Sequence, residues 1–276
     1  MLSVNTNMGA MVALQYLNKT EGELQVSQTH INTGLKVATA KDDGATFAIA
    51  QNMRGNVSSY QAVSDSLRRG VSTVDVAISA GTAISDLLNE LKNKALAAAD
   101  TSLDTASRNA LNADFTALRD QITTIVQNAN FNGTNLVDGT VNSITALAST
   151  DGSKKISVDA VSFKLSGAAV TIKTTSTIST QAKASAMINI LNTSVQNVNA
   201  SLAKLAAGEK KFSVQNDFVA KLVDALNAGI GNLVDADMAK ESARLQSLQV
   251  KQQLGVQALA IANSEPQIIL SLFRGG

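Results

Sequence analysis

Apolar residues recur in alternating steps of three and four along both ends of this chain, and the pattern is missing from its middle. One stripe runs from Met53 to Leu91, and the other runs from Ile188 to Leu233. Steps of three and four place a narrow apolar seam on one side of an α-helix, which is the geometry of a coiled coil. Two such stripes at opposite ends of one chain predict long helices that pair with each other.

A few polar or small residues interrupt the two stripes, among them Ser64, Gly81, Ser85 and Asn216. The apolar positions between them are expected to be buried where the helices meet. These seam positions are Met53, Val57, Tyr60, Leu67, Val71 and Val74 in the first stripe, and Leu202, Leu205, Val219 and Leu226 in the second.

The composition fits a long helical bundle. Of the 276 residues, 45% are hydrophobic but only 3% are aromatic, and there is no tryptophan. Compact cores of this size normally use large rings to fill their interior, whereas bundles pack with Leu, Val, Ile and Ala. The single proline, Pro266, also fits a chain of helix interiors, where proline costs about 3 kcal/mol.

Charge and cysteine content argue against several classes of function. The formal net charge of +1 gives no reason to expect nucleic acid or an anionic membrane as a partner. The lack of cysteine excludes disulfides, thiolate metal sites and cysteine nucleophiles. The N-terminus has no basic segment before an apolar one, so no secretory signal is predicted, and no later stretch is expected to approach the apolar length of a membrane span.

Helix and turn signals predict the order of the elements in the first half of the chain. A first helix is expected over residues 5–35, and a second over 47–99 after a break at residues 42–44. Asp104 and Thr105 are candidate N-caps for a third helix, because their side-chain oxygens can accept hydrogen bonds from free helix amides.

The middle of the chain predicts short strands and hairpins. Residues 140–181 are rich in Ser, Thr, Val and Gly, with apolar and polar residues alternating over 155–158 and 170–173. The helical pattern resumes near residue 181, with an irregularity expected at Gly229 and Gly231. A last helix is expected over residues 234–272. The predicted fold is therefore mainly α: an elongated rod of long antiparallel coiled-coil helices from both termini, with a small β-hairpin region in the middle.

The two outermost helices carry more apolar surface than one partner helix can bury. Residues 10–31 and 234–272 place apolar side chains on several faces. Further subunits are the natural cover for such surfaces, so the pattern predicts self-assembly. The positions expected in the core of this assembly are Leu17, Leu24, Ile31, Leu245, Leu248 and Leu259.

Residues that could carry chemistry are scarce. His30 is the only histidine, and it is expected to be a surface or packing residue. Asp42 with Asp43, and Asp235 with Asp237, could bind metal or act as acid and base, but loop and N-cap positions explain them better. The sequence therefore predicts no enzyme activity, no catalytic residue, no cofactor and no metal site.

Three segments resemble bacterial flagellin, in the order in which that family has them. Residues 32–50 (NTGLKVATAKDDGATFAIA) resemble its N-terminal signature, and residues 131–139 (FNGTNLVDG) resemble the end of its N-terminal conserved region. Residues 233–274 are similar to its C-terminal signature. The signature positions in this chain are Lys41, Asp42, Asp43, Asn132, Gly133, Asp235, Asp237 and Pro266.

The resemblance implies a subunit of the flagellar filament that is exported unfolded through the flagellar type III channel. It implies that residues 1–40 pair with 234–276 in an inner core, and that 41–138 and 183–233 form a rod domain. The resemblance also implies that residues 139–182 form a short variable β region that faces outward. The shortness of this region resembles the flagellins of α-proteobacteria. The implied partners are copies of the chain, paralogous flagellins, and the flagellar cap, junction and export proteins.

The resemblance also bears on immune recognition. Many flagellins are bound by Toll-like receptor 5 along the first long helix, at an arginine followed by hydrophobic and acidic positions. Aligning residues 87–100 with that segment places Glu90 at the arginine and Lys94 at a nearby leucine. Charge reversal at the centre of an interface is costly, so weak receptor recognition is predicted.

Two other interpretations stay open from the residues alone. A hook–filament junction protein shares the terminal coiled-coil plan, although its signatures match less well. A non-flagellar helical scaffold would have ends that pair only with each other.

Overall fold

The computed structural model describes residues 6–274 of the chain, and the side chains of residues 6–264. It is mainly helical, at 72%, with long helices from both ends of the chain and a small antiparallel sheet between them, as predicted. Its elements are α1 (Met8–Thr33), α2 (Gly44–Ala98), α3 (Thr105–Asn128), β1 (Ser143–Leu147), β2 (Lys155–Asp159), α4 (Gln181–Val234) and α5 (Met238–Arg274).

The chain divides into two compact units. Unit 1 combines both ends of the chain, residues 1–55 and 225–276, and unit 2 comprises residues 56–224. The long helices α2 and α4 therefore each contribute residues to both units.

In unit 1, α1 and α5 pair in antiparallel directions. Near the start of α1, the Asn7 side-chain amide donates a hydrogen bond of 2.7 Å to the carbonyl of Ala262. Near the other end, the Ser27 hydroxyl donates to the Glu241 carboxylate at 2.9 Å. Because the early residues of α1 meet the late residues of α5, the two helices are held together at both ends of their contact.

Backbone hydrogen bonds fix the segments that follow α1 and precede α5. Helix α1 ends at Gly34, which takes the left-handed conformation (φ 71°) that commonly closes a helix. Beyond it, Leu35 and Asp235 form an antiparallel bridge, and the Lys36 amide donates to the carbonyl of Val234 at 2.7 Å. The turn after α1 is therefore tied to the turn between α4 and α5.

In unit 2, α2 and α4 pair in antiparallel directions, and α3 adds to the same core. Gly70 on α2 contacts the Phe212 ring on α4, and Gly81 contacts Leu202 and Phe163. Asp104 caps α3 as predicted, because its side chain accepts from the amide of Ser107. The largest fully buried side chains of the core are Phe115, Phe163, Phe212, Leu67, Ile84, Leu88, Leu91, Ile122, Leu136, Ile172, Ile178 and Leu191.

The sheet consists of β1 and β2, with Ser143 opposite Asp159 and Leu147 opposite Lys155. Its buried residues are Ala146 and Val158, while the neighbouring positions are more exposed. Val158 packs on α4 at Gly208, where any added Cβ would collide with the valine methyl groups. The sheet is therefore seated directly on the helix surface.

One predicted strand, over residues 170–173, is wrong. Its backbone pairing is limited to an isolated bridge between Val170 and Leu165, and two of its amides bond to side-chain hydroxyls. The Thr171 amide donates to Ser194 Oγ at 3.0 Å, and the Lys173 amide donates to Ser176 Oγ at 3.1 Å. The predicted strand at 155–158 is present as β2, and its partner is β1.

Two further sequence predictions are wrong. Helix α4 runs without interruption through Gly229 and Gly231. Helix α2 is long and apolar enough to cross a membrane by length and composition, although no such stretch was predicted. Composition is weak support for a span, because the core helix of a soluble protein passes the same test, and α2 buries Leu67, Ile84 and Leu88.

Candidate assembly surface

Helices α1 and α5 expose many large apolar side chains. Tyr16 on α1 is 67% exposed and Ile261 on α5 is 68% exposed. Monomeric proteins rarely leave so many apolar residues uncovered in one region, and such surfaces usually bind another protein. The α1–α5 apolar surface consists of Met8, Met11, Val12, Leu14, Tyr16 and Val26 on α1, and Met238, Val250, Leu254, Val256 and Ile261 on α5.

The spacing of these residues explains why they stay uncovered. Met8, Val12 and Tyr16 follow at intervals of four, which places them along one side of α1. Val250, Leu254 and Ile261 are spaced by four and seven and likewise share one side of α5. A single antiparallel partner covers only one side of a helix, so these sides are free within one chain.

The six positions predicted for the assembly core are more covered than this surface. Leu248 is buried, at 2% exposure, and the other five are half-buried. Leu17 packs against Gly255, where an added Cβ would lie 3.3 Å from the Leu17 Cδ1 atom. Their role between chains stays a prediction. The six are Leu17, Leu24, Ile31, Leu245, Leu248 and Leu259.

A buried polar cluster lies between α1 and α5. Ser27 Oγ donates to Glu241 Oε2 at 2.9 Å, and His30 Nδ1 lies 3.4 Å from Glu241 Oε1. Burial disfavours the charged form of Glu241, but the hydrogen bond from Ser27 and the proximity of His30 outweigh burial and lower its pKa. The only histidine of the chain is thus a packing residue at the contact of the two helices.

The signature residues of the segment before α2 shape a turn and a helix start. Asp42 accepts from the Thr39 amide at 2.8 Å, and that hydrogen bond is the main cause of its lowered pKa. Asp43 accepts from the Thr46 amide and hydroxyl at 3.1 and 2.6 Å, which lowers its pKa and caps α2. Lys41 is exposed beside them.

The signature aspartates before α5 have similar structural roles. Asp237 Oδ1 accepts from the amides of Ala239 and Lys240, each at 3.1 Å, and so caps the first turn of α5. Asp235 pairs through its backbone with the segment after α1. Pro266 falls within the residue range of α5, and the structure describes side chains only as far as residue 264.

Asn132 and Gly133 form a two-residue hairpin turn. Both have positive φ values, 49° and 81°, which is the requirement of a type I′ turn. On either side of them, Phe131 and Thr134 exchange two backbone hydrogen bonds of 3.0 Å. The asparagine–glycine pair of the family signature is therefore present because the turn demands left-handed backbone at two successive positions.

The predicted seam positions are all buried or half-buried. Leu67, Val74, Leu205 and Val219 are at most 1% exposed. The other six positions are half-buried: Met53, Val57, Tyr60, Val71, Leu202 and Leu226.

Sequence reasoning missed the polar side chains that tie the loops of unit 2 to its helices. Arg119, only 8% exposed, donates to the carbonyl of Ser176 at 2.9 Å. Asn135 donates to the carbonyl of Val126 at 2.7 Å and accepts from two loop amides. A signal for Arg119 existed, because it stands three residues before Ile122 on the apolar side of α3 and so had to be buried.

Nothing in the described part of the chain suggests catalysis. Among the described residues, no group of three or more His, Cys, Asp or Glu is placed to hold a metal ion. The lowered pKa values of Asp42, Asp43 and Glu241 arise from hydrogen bonds that cap turns or join helices. What this arrangement can do chemically is bury apolar surface against another protein.

Comparison with known proteins matches both ends of the chain. Residues 4–142 match the bacterial flagellin N-terminal helical region, and residues 188–273 match the bacterial flagellin C-terminal helical region. Flagellin FljK of Caulobacter vibrioides is 54% identical over 272 residues, which cover 99% of this chain and 98% of FljK. Flagellin FljO of the same organism is 53% identical with the same coverage.

A solved structure shows the same fold at low sequence identity. It is provisionally described as a flagellar hook-associated protein from Vibrio parahaemolyticus. It aligns with a TM-score of 0.60 at 12% identity, covering 70% of this chain and 100% of that chain. At this identity the likeness shows the fold alone.

Both family models and the full-length relatives lead to the same family and leave the junction-protein and scaffold interpretations without support. The chain belongs to the bacterial flagellins, the structural, non-enzymatic subunits of the extracellular flagellar filament, and it is close to those of α-proteobacteria.

Proposed function

We propose that the α1–α5 apolar surface is the contact by which copies of this flagellin polymerise. The observation that carries the proposal is the exposure of large apolar side chains on two helices that already cover each other on one side. Burial of apolar surface contributes about 25 cal/mol per Å², so covering these side chains with further subunits favours the polymer. The half-buried and buried leucines of α1 and α5, such as Leu17 and Leu248, stabilise the pairing of the two helices.

The proposal assigns a role to each segment of the chain. Residues 1–40 and 234–276 form the inner core of the filament, and residues 41–138 and 183–233 form the rod that contacts neighbours. Residues 139–182 face outward. Support comes from the pairing of α1 with α5 in unit 1 and from the position of the small sheet on α4 in unit 2.

Other flagellar proteins complete the proposed set of partners. Paralogous flagellins share a filament with this chain. In support, two different flagellins of one organism, FljK and FljO, resemble this chain almost equally. The export, cap and junction proteins of the flagellum handle the chain before and during assembly.

Weak recognition by Toll-like receptor 5 is part of the proposal. Glu90 is exposed on α2, and the Lys94 ammonium lies 2.7 Å from Asp114 Oδ2 on α3. An acidic side chain in place of an arginine, with a lysine already paired inside the chain, weakens an interface built for the opposite charge. A reporter-cell dose–response equal to that of an enterobacterial flagellin would contradict this.

Thiol protection tests the assembly surface directly, because the chain has no cysteine of its own. Leu254→Cys places a thiol on the proposed surface, and Thr174→Cys places one on an exposed loop of the middle region. We expect both thiols to react in monomers and only the Thr174→Cys thiol to react in filaments. Equal reactivity of the Leu254→Cys thiol in monomers and filaments would refute the proposed contact.

A further inference from the structure

The turn at residues 131–134 contains the only asparagine–glycine pair in the sequence. Asn132 and Gly133 are both exposed. Asparagine is one of the thermally labile side chains of proteins. Glycine has no Cβ, so its backbone nitrogen is the least hindered of any residue that could follow an asparagine. The turn therefore places a labile side-chain amide beside an accessible backbone nitrogen.

The Asn132 carboxamide is also not held in place. Within the described residues, no hydrogen bond is made to its side chain, whereas the side chains of Asn135 and Asn112 are engaged. The Asn135 carboxamide bonds to the Val126 carbonyl and to two amides, and Asn112 Oδ1 accepts from the Ile178 amide. Asn132 is thus free to rotate toward the following backbone nitrogen.

We propose that Asn132 is a site of spontaneous conversion to aspartate and isoaspartate, and that the Asn130 side chain slows this reaction. In the first step the Gly133 nitrogen attacks Asn132 Cγ. The N–Cγ bond forms, the Cγ–Nδ2 bond breaks, and the amide group leaves as ammonia with the proton from the Gly133 nitrogen. Water then opens the cyclic imide at either carbonyl, which gives aspartate or isoaspartate.

The slowing effect comes from a specific hydrogen bond. The Gly133 amide donates to Asn130 Oδ1 at 2.8 Å. The nitrogen must lose its proton to attack, and an acceptor 2.8 Å away stabilises the protonated form and holds the peptide plane in place. The two hydrogen bonds between Phe131 and Thr134 add to this restraint, so the reaction requires local opening of the turn.

Conversion changes the surface and the backbone. Aspartate adds a negative charge to a groove that Asn132 lines together with Arg69 and Thr73 of α2. In isoaspartate the main chain continues through Cβ and the former side-chain carbonyl. This adds a backbone atom to a turn that has room for only two residues. A flagellin subunit remains outside the cell after assembly, so the modified fraction should rise with the age of the filament.

Peptide mapping by mass spectrometry tests the proposal. The full-length protein is incubated at neutral pH and sampled over weeks, and aspartate and isoaspartate are quantified at every asparagine. We expect residue 132 to convert before any other asparagine, with isoaspartate as one product. Comparing the extent of conversion at the different asparagines of one sample tests the site without any variant.

Two variants test the role of Asn130. Asn130→Ala removes the acceptor, whereas Asn142→Ala changes an exposed loop asparagine that has no side-chain hydrogen bond within the described residues. We expect conversion at Asn132 to be several-fold faster in Asn130→Ala and unchanged in Asn142→Ala, with wild-type circular dichroism in both. Earlier conversion at another asparagine, or equal rates in the two variants, would overturn the proposal.

Discussion

The Ser64 hydroxyl of α2 donates a hydrogen bond of 2.7 Å to the Asn216 carboxamide of α4, so two polar interruptions of the apolar seam face each other. Further along α2, the Ser85 hydroxyl donates the same kind of hydrogen bond to the Asn199 carboxamide of α4, at 3.2 Å. In coiled coils a polar residue at a core position specifies which register the helices adopt. These pairs therefore fix the register of α2 against α4. Leucine at the same positions would allow other registers.

This pairing predicts energetic coupling between Ser64 and Asn216. We expect each alanine substitution to destabilise the monomer, because each leaves a half-buried polar group without its partner. In the double variant Ser64→Ala/Asn216→Ala the two costs should not add, with a coupling of about 0.5–1.5 kcal/mol. Urea unfolding of the four proteins gives the coupling, and strictly additive costs would contradict the pairing.

Tight helix contact predicts that Gly81→Ala destabilises unit 2. An added Cβ at Gly81 would lie 2.7 Å from Leu202 Cδ2 and 2.8 Å from Phe163 Cε2, so the core must shift. Overpacking of this kind costs about 1–3 kcal/mol. Gly55→Ala on the same helix is the matched control, since its Cβ meets no atom within 4 Å. Thermal unfolding should show a lower midpoint for Gly81→Ala and an equal or higher one for Gly55→Ala.

The Ser27–Glu241 hydrogen bond predicts that the pairing of α1 with α5 is less stable in acid. The pKa of Glu241 is lower in the folded chain than its ordinary value of 4.5, so its carboxylate stabilises the helix pair above that pH. This contribution is lost as the pH falls through the lowered pKa. The protection factors of the α1 and α5 amides in the monomer, which correct for the intrinsic pH dependence of hydrogen exchange, should therefore fall in acid for the wild type and change less for Glu241→Gln. An identical pH response in both proteins would rule out this role.

Removal of residues 234–276 separates folding from assembly. We expect the truncated chain to keep residues 56–224 folded, because that unit has its own core and its own paired helices. Helix α1 should lose its structure, since its partner α5 is gone, and no filaments should form. Limited proteolysis would show a resistant fragment of unit 2, whereas complete digestion would contradict an independent core.

The long helices could be predicted from sequence because their apolar residues keep a period of three to four over many turns. The seam positions Leu67 and Leu205 are buried, and Asp104 caps α3. The segment at 170–173 was misread because alternation alone does not supply a partner strand. The amides of Thr171 and Lys173 donate to hydroxyls on α4 and in the following turn. A local sequence pattern does not contain such contacts.

The assembly surface was only partly predictable. The breadth of apolar residues on α1 and α5 was visible in the sequence, but the side facing the partner helix was not. Leu17 and Leu248 lie toward the helix pair, while Tyr16 and Leu254 are exposed, and only the antiparallel docking of α1 on α5 decides between them. The loop contacts of Arg119 and Asn135 depend on tertiary structure in the same way.

Seeded polymerisation of surface variants tests the central claim most directly. Leu254→Gln/Ile261→Gln makes two exposed positions polar, and Leu254→Met/Ile261→Met keeps them apolar as a matched control. We expect both monomers to keep wild-type circular dichroism. Sedimentation and electron microscopy should show filaments for the methionine variant and none for the glutamine variant. Filaments of the glutamine variant at the wild-type yield would contradict assembly through the α1–α5 apolar surface.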